Sequence, residues 1–440
     1  MKDAQHMKLN GFSDITSETI SQAAKQFGTP VYVYDETLIL KRCRQCLDMP
    51  AAFGLTVRYA MKSNSCRAVL QLVHQAGLGL DASSLNEVLR AHIAGIPYSS
   101  ITLTTQEVYC GERLEMLQDL MTKGLNYNAC SLRQLRLIAD FAAAAGINPG
   151  IRIHPGIGSG ESAARNTGDD YACFGVHMSD ISEAIDFAYS RGLKFTHIHE
   201  HIGSGADPEV WRNSIDHELS IIEEYFPDAD TVCFGGGLKE ARMPGDNQAD
   251  VMLLGRHAKA KIEDFYTRTG RKLHAEIEPG TYIVANSGYA VTRVIDKKRT
   301  SRSNFIVIDG GLEINPRPLF YGSKHPIYII AENGETVKSS EFMPFPEAFD
   351  AYDAVVAGKC CESGDCQTLT ADGHSESRAM AEPDIGDIAV IGGTGAYCAA
   401  MAPFNYNSHT QAPEVMYKAD GQLQLVRRRQ TLEQVLENEV

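Results

Sequence analysis

The sequence predicts an α/β protein: a (β/α)8 barrel followed by a mostly β second domain. Three observations carry that expectation. From about residue 55 to 280, short apolar or β-branched runs alternate with longer amphipathic stretches. The short runs number eight, which with their helices matches a closed eight-stranded barrel in count and length. After residue 281 the rhythm changes to short β runs separated by turns. At 440 residues the chain also exceeds the roughly 250–300 at which one hydrophobic core stops growing, and 43% apolar residues suffice for two cores.

In chain order, residues 1–34 form an opening segment whose Pro30–Tyr34 run is expected to add a strand to the β domain. The barrel occupies 35–280, with strands expected at Thr56–Ala60, Leu78–Ala82, Ser100–Leu103, Leu125–Asn128, Gly150–Ile153, Phe195–His199, Thr231–Phe234 and Leu273–Ile277. The helical patterns between them are Ala68–Ala76, Leu85–Ala94, Arg113–Lys123, Leu132–Ala145, Ser182–Arg191, Trp211–Tyr225 and Asp250–Thr269. The β domain, 281–440, shows runs at Tyr289–Ile295, Phe305–Ile308, Ile327–Ile330, Asp353–Ala357 and Asp387–Ile391, and only Leu432–Leu436 reads as helical. The Gly-, Ser- and Glu-rich stretch Asp372–Asp387 reads as an exposed loop.

Composition excludes several function classes. A formal charge of −15 repels phosphate backbones and anionic lipid, so neither nucleic acid nor membrane is an expected partner. No apolar run approaches the roughly 18–20 residues that cross a bilayer, and Met1–Asn10 is polar rather than a basic-then-apolar secretion signal. A soluble, cytoplasmic protein is expected. Eleven cysteines, an odd number spread along the chain, fit reduced thiols. Cys43 and Cys46 have the gap of a zinc half-site, yet no second pair lies at finger-like spacing, and Cys360, Cys361 and Cys366 lack a histidine cluster. No metal is expected.

A barrel of this kind places its chemistry at the C-terminal ends of its strands. The first expected strand ends in Tyr59-Ala60-Met61-Lys62-Ser63-Asn64, the second in Asp81, and the sixth in His199-Glu200-His201-Ile202-Gly203-Ser204-Gly205. Gly235-Gly236-Gly237 ends the seventh and Glu276-Ile277-Glu278-Pro279-Gly280 the eighth. Each alone has a bland reading: a solvated lysine, a tight turn, a decorative histidine pair. Their shared position converges them on one mouth. Glycines let backbone N–H groups approach a phosphate, and barrels often bind phosphate after strands seven and eight. A partly desolvated lysine can form a Schiff base with an aldehyde. A carboxylate at a pyridine nitrogen keeps it protonated and the ring a strong electron sink, while an imidazole can stack on the ring. Together these residues describe a pyridoxal 5′-phosphate site.

The motifs Tyr59–Asn64, His201-Ile202-Gly203-Ser204, Gly235–Gly237, Glu278-Pro279-Gly280, Cys361-Glu362-Ser363-Gly364-Asp365 and Gly395-Ala396-Tyr397 resemble, in that order, those of the fold-type III pyridoxal-phosphate decarboxylases. Within that family the chain is most similar to the diaminopimelate decarboxylases, from about Gly28 to Met416. The resemblance implies that Lys62 carries the cofactor, His201 stacks on its ring and Glu278 pairs with the ring nitrogen. Ser204, Gly236 and Gly237 would hold the phosphate with Tyr397, and Asp81 and Arg152 match supporting positions. Cys361 matches the residue that protonates the substrate carbon from a neighbouring subunit, a task suited to a thiol of ordinary pKa about 8.5. Glu362 matches a carboxylate contacting the distal amino group, and Arg317 and Tyr321 match the element that reads the distal end. The family implies a homodimer with shared active sites.

The chain departs from the family at the substrate end. Diaminopimelate decarboxylases normally carry arginine after Glu-Pro-Gly, where this sequence has Thr281; a charge-assisted contact of about 1.5–3 kcal/mol is thereby lost. Lys359 replaces a preferred proline, Pro403-Phe404 adds a residue, and Asn407-Ser408-His409 lacks arginines that often follow. Two substrates therefore stay open: diaminopimelate, which Arg317 and Tyr321 still suit, and a modified amino acid of a specialised route such as siderophore assembly, which Thr281 favours. A racemase would pair the ring nitrogen with arginine, against Glu278. A single-barrel carrier of the cofactor would need no residues 281–440, and a pseudo-enzyme would typically lack Lys62.

Overall fold

The computed structural model describes residues 8–159, 166–203, 207–343, 349 and 351–440. The chain divides into two compact units. One comprises Arg42–Glu240 and Gln248–Ile283; the other gathers the chain up to Lys41, Ala241–Asn247 and Val284–Val440.

The first unit is a closed barrel of eight parallel strands: Leu55–Ala60, Gly79–Ala82, Ile101–Thr104, Asn126–Ala129, Gly150–His154, His197–His199, Thr231–Cys233 and His274–Ile277. Numbered one to eight in chain order, each pairs with its sequence neighbour, and strand eight closes on strand one through Ala275–Leu55, Glu276–Thr56 and Ile277–Val57. Every strand lies within two residues of its expected position. The intervening helices begin where local chemistry starts them. Ser84 and Ser131 accept hydrogen bonds from Glu87 and Gln134 backbone N–H groups, capping the helices Leu85–Ile93 and Leu132–Ala145. Asp207 caps Pro208–Tyr225, whose first residue is a proline that needs no donor there. After strand eight only the single turn Thr281–Val284 follows.

The barrel interior is polar on one level where branched apolar residues are customary. Arg58 of strand one grips Glu276 of strand eight with two hydrogen bonds of 2.8 and 2.7 Å. His197 of strand six bridges Glu276, at 3.2 Å, to Asn128 of strand four, at 2.7 Å, and Asn128 donates to Thr104. Burial opposes the charge on Glu276, but His197 and Arg58 overcome it and hold its pKa at about 2. Such a pair is expensive to bury, and removing one partner leaves the other uncompensated.

The second unit is built on a ten-stranded sheet. Its long strand Gly288–Arg299 runs antiparallel to Val31–Asp35 and Ile388–Gly392, then, past a bulge between Val294 and Asp296, pairs with Asn304–Ile308. Val31–Asp35, the expected strand of the opening segment, also lies parallel to Glu414–Tyr417. Val31, Val33, Tyr289, Val291, Tyr328, Ile388 and Val390 fill the core under it, joined by Ile20 of helix Ser17–Phe27.

Several elements differ from the sequence reading. Asp372–Asp387 is not wholly an exposed loop: Arg378–Ala381 within it is a strand paired with Ala351–Ala357, and Met380 and Ala381 are buried. Val337–Ser340, Glu414–Tyr417 and Leu423–Arg427 are further strands, and Arg317–Tyr321 a further short helix. Val337–Ser340 reads as polar because Lys338 interrupts it, yet Lys338 is buried between Asp384 and Asp387, at 2.7 and 2.6 Å. Among the described residues no helix is long and apolar enough to cross a membrane.

Candidate active site

Strand one ends at Ala60 and runs into the 3-10 turn Met61–Ser63, which carries Lys62. The turn is fixed from below: Ser63 Oγ donates to Ala60 O, and Ala60 N–H donates to Pro279 O of the Glu278-Pro279-Gly280 turn. Gly280 suits this packing, because a Cβ there would sit a tight 3.1 Å from Ser63 Cβ and 3.2 Å from that of Ala60. Lys62 is exposed, its side chain at 43%, with Nζ 3.5 Å from Asp81 Oδ2. Asp81, at the end of strand two, is buried, and burial together with the charge of Glu278 raises its pKa to about 8, against the pull of Lys62. The ammonium of Lys62 is also felt by His201 and by Glu278, which places all four residues around one mouth.

The glycine loop is held by the same groups. Gly236 N–H donates to His201 Nδ1 at 3.0 Å, Trp211 Nε1–H donates to Gly236 O, and Glu278 N–H donates to Gly235 O. A Cβ on Gly236 would lie 2.5 Å from Glu278 O, and one on Gly235 2.4 Å from Glu200 O. Because Nδ1 of His201 accepts, its proton sits on Nε2. Burial, Arg152 and Lys62 hold the ring well below its usual pKa, so it is neutral. The Gly236 N–H is thus committed to His201, and Gly237, at φ 91°, remains the loop's candidate phosphate donor.

Glu278 follows strand eight and is 5% exposed. Its Oε2 lies 2.9 Å from Nε2 of His199, while its Oε1 has no hydrogen-bond partner among the described residues. Burial would raise its pKa, but His199, Lys62 and His201 outweigh burial and hold it far below the ordinary carboxylate range. An ionised, buried oxygen without a donor is costly unless a cation or N–H meets it. Arg152 of strand five is buried with its guanidinium 5.2 Å from the Phe174 ring centre, and its charge reaches Asp81, His199 and His201. Thr281, buried, opens the turn after Gly280. Ser204 lies outside the described residues.

The remaining expected residues belong to the second unit. Arg317, fully buried, donates through Nε to His325 Nε2 and through Nη2 to Ser323 Oγ, and its guanidinium faces the rings of Tyr321 and Tyr397 at 5.7 and 6.0 Å. Tyr397 adopts a left-handed φ of 57°, and Tyr321 Oη donates to Met401 Sδ. Cys361 and Glu362 are exposed. Cys361 N–H donates to Asn407 Oδ1, and Glu362 accepts from Gly364 N–H, Ser363 Oγ and Tyr406 Oη. The exposed Cys361 thiol is not part of the core of its unit.

Residues 38–285 match the family described as pyridoxal-dependent decarboxylase, pyridoxal binding domain. The chain belongs to this family. The diaminopimelate decarboxylase of Escherichia coli is 32% identical over 438 residues, covering 98% of each chain, and that of Streptomyces coelicolor 31%, covering 99% of this chain and 94% of the other. A crystal structure of diaminopimelate decarboxylase superposes with a TM-score of 0.86 at 32% identity over 98% of each chain. The Helicobacter pylori enzyme complexed with L-lysine gives 0.79 at 25% identity, over 95% of this chain and 98% of that one. This family member is accordingly a pyridoxal-phosphate-dependent carboxy-lyase. The residues present fit the cofactor: a buried carboxylate oxygen awaiting a donor, Gly235 and Gly236 closed to any Cβ, and an accessible lysine beside a buried carboxyl.

The sequence reading overlooked three groups. His199 was visible only as the first of a histidine pair. Glu200, between those histidines, and Glu218 of helix Pro208–Tyr225 are buried carboxyls that nothing in a linear sequence distinguishes from surface acids.

Proposed function

We propose that this decarboxylase removes the α-carboxylate of a diamino acid of the diaminopimelate class, with Lys62 holding the cofactor and Glu278 tuning it. The observation that carries the reading is Glu278: ionised, buried, one oxygen fixed and the other open, at the mouth that holds Lys62. Bound pyridoxal phosphate supplies a sink for the electron pair left on Cα when CO2 departs. Glu278 keeps the proton on the ring nitrogen, as arginine in that place would not. The neutral His201, fixed by Gly236, would stack on the ring. The family resemblance assigns Gly237, Ser204 and Tyr397 to the phosphate, and Asp81 and Arg152 set the charge around Lys62.

The substrate reading draws on the relatives named diaminopimelate decarboxylase and on the one solved with L-lysine. Arg317 and Tyr321 serve the distal carboxylate and Glu362 the distal ammonium, while Cys361 returns a proton to Cα. Cys361 and Glu362 are exposed in the single chain, as residues that enter a second copy's site must be, which supports a homodimer with shared sites. The cytoplasm, where the Cys361 thiol stays reduced, is its place of work. Thr281 favours a second reading, a modified amino acid whose distal end needs no arginine there, such as a carboxylate-bearing siderophore intermediate.

CO2 release from a panel containing meso-diaminopimelate, L-lysine, L-ornithine and carboxylate-bearing conjugates of diamino acids decides between them. Turnover of diaminopimelate well above the rest supports the first reading. Turnover of a conjugate above diaminopimelate establishes the second, and no CO2 from any α-amino acid overturns both.

A further inference from the structure

We infer that His199 is a positioning residue, which turns and holds the Glu278 carboxylate so that its second oxygen is available to the nitrogen of the pyridoxal ring. The inference rests on the reading that Glu278 serves that nitrogen. His199 is the last residue of strand six and Glu278 the first after strand eight, with strand seven between them. Both are buried, at 1% and 5% exposure, so their 2.9 Å contact is shielded from competing water. Among the described residues His199 is the side chain that hydrogen-bonds Glu278, and it engages only Oε2. A carboxylate held at one oxygen can still swing about its terminal bond, but a second strong acceptor position is defined once the first is pinned.

The protonation states agree with this geometry. An ionised carboxylate accepts, so Nε2 of His199 carries the proton, and Nδ1 is the bare nitrogen, buried without a partner among the described residues. Burial lowers the pKa of His199 although Glu278 raises it, so the imidazole is neutral at pH 7. A neutral donor fixes Glu278 without cancelling its charge, which is left whole for the ring nitrogen. The other groups facing Glu278 are unsuited to that task. Lys62 is reserved for the cofactor, His201 is tied to Gly236, and Asp81 and the Cys233 thiol are themselves raised by burial and by the charge of Glu278. Among the described residues His199 is thus the donor that meets Glu278.

Its removal acts through Glu278, and that is what the test reads. Holoenzyme carrying His199→Phe is expected to retain cofactor on Lys62 but to lose on the order of 10- to 100-fold in kcat, with KM little changed, as for other outer partners that orient a charged group. The visible band of the bound cofactor should titrate about one pH unit higher on its acid side, because the carboxylate has lost the donor that favoured its ionised form. His199→Gln, whose amide can reach the place of Nε2, should restore most of both. If His199→Phe does not fold, His199→Asn, whose amide sits at the place of Nδ1, takes its part.

The decisive arm is a double-mutant cycle. In a Glu278→Gln background His199→Phe should change kcat and the spectral titration by less than about twofold. Additive losses, or an unshifted titration in a folded His199→Phe holoenzyme, overturn the inference while leaving the cofactor reading intact. A native protein that takes up no pyridoxal phosphate on Lys62 overturns the reading beneath it instead.

Discussion

Glu200 sits between His199 and His201 after strand six, yet its own carboxyl is fully buried and neither oxygen has a hydrogen-bond partner among the described residues. Burial raises its pKa to about 8, only partly opposed by Arg152, and Glu218 is pushed well above its ordinary range by burial and by Glu200. The two carboxyls cannot both ionise cheaply. A group whose folded pKa is raised stabilises the fold in full below its unfolded pKa, here 4.5, and that contribution is lost as pH rises toward 8. Thermal midpoints between about pH 6 and 9 should therefore fall with pH in the native protein and fall less in Glu200→Gln. Parallel slopes would show that Glu200 is ionised in the folded state throughout. Sequence alone placed Lys62, Asp81, His201 and Glu278 because strand ends expose such residues, whereas Glu200 and Glu218 acquire their character only from burial.

At the scale of elements, the βα alternation was readable because the barrel strands are short runs, five of them followed by distinctive residues, and serine caps restart two of the helices. The helix Met178–Ser190 starts four residues before the expected Ser182, since His177 accepts from Ser179 N–H and caps it earlier. The β unit was harder to read. Val337–Ser340 and Arg378–Ala381 owe their strand form to pairing and to charges neutralised on burial, which local propensity cannot foresee. The loop Gly235–Gly237 offers the sharpest test at this scale. Gly236→Ala forces a Cβ to 2.5 Å from Glu278 O, so the backbone between His201 and Glu278 must yield. The variant should lose about 1–3 kcal/mol of stability in urea unfolding and bind pyridoxal phosphate more weakly. Native-like values for both would mean the loop has room that its contacts deny.

For the whole molecule, the question is whether one chain makes a complete site. Lys62 lies in the barrel unit and Cys361 in the β unit. If two copies share their sites, Lys62→Ala and Cys361→Ala homodimers are each inactive for different reasons. Mixed, unfolded and refolded together at equal amounts, they should regain about a quarter of native activity, since half the dimers are hybrids and each hybrid holds one intact site. Activity that stays at the level of the separate variants would mean that each chain completes its own site.

The claim on which all of this depends is that Lys62 carries the cofactor. Purified protein loaded with pyridoxal phosphate, reduced with borohydride and digested, should show one modified peptide by mass spectrometry, spanning Tyr59–Asn64 with the reduced pyridoxyl group on Lys62, and Lys62→Ala should show none. Modification at another lysine, or labelling of Lys62→Ala equal to the native protein, would contradict the account.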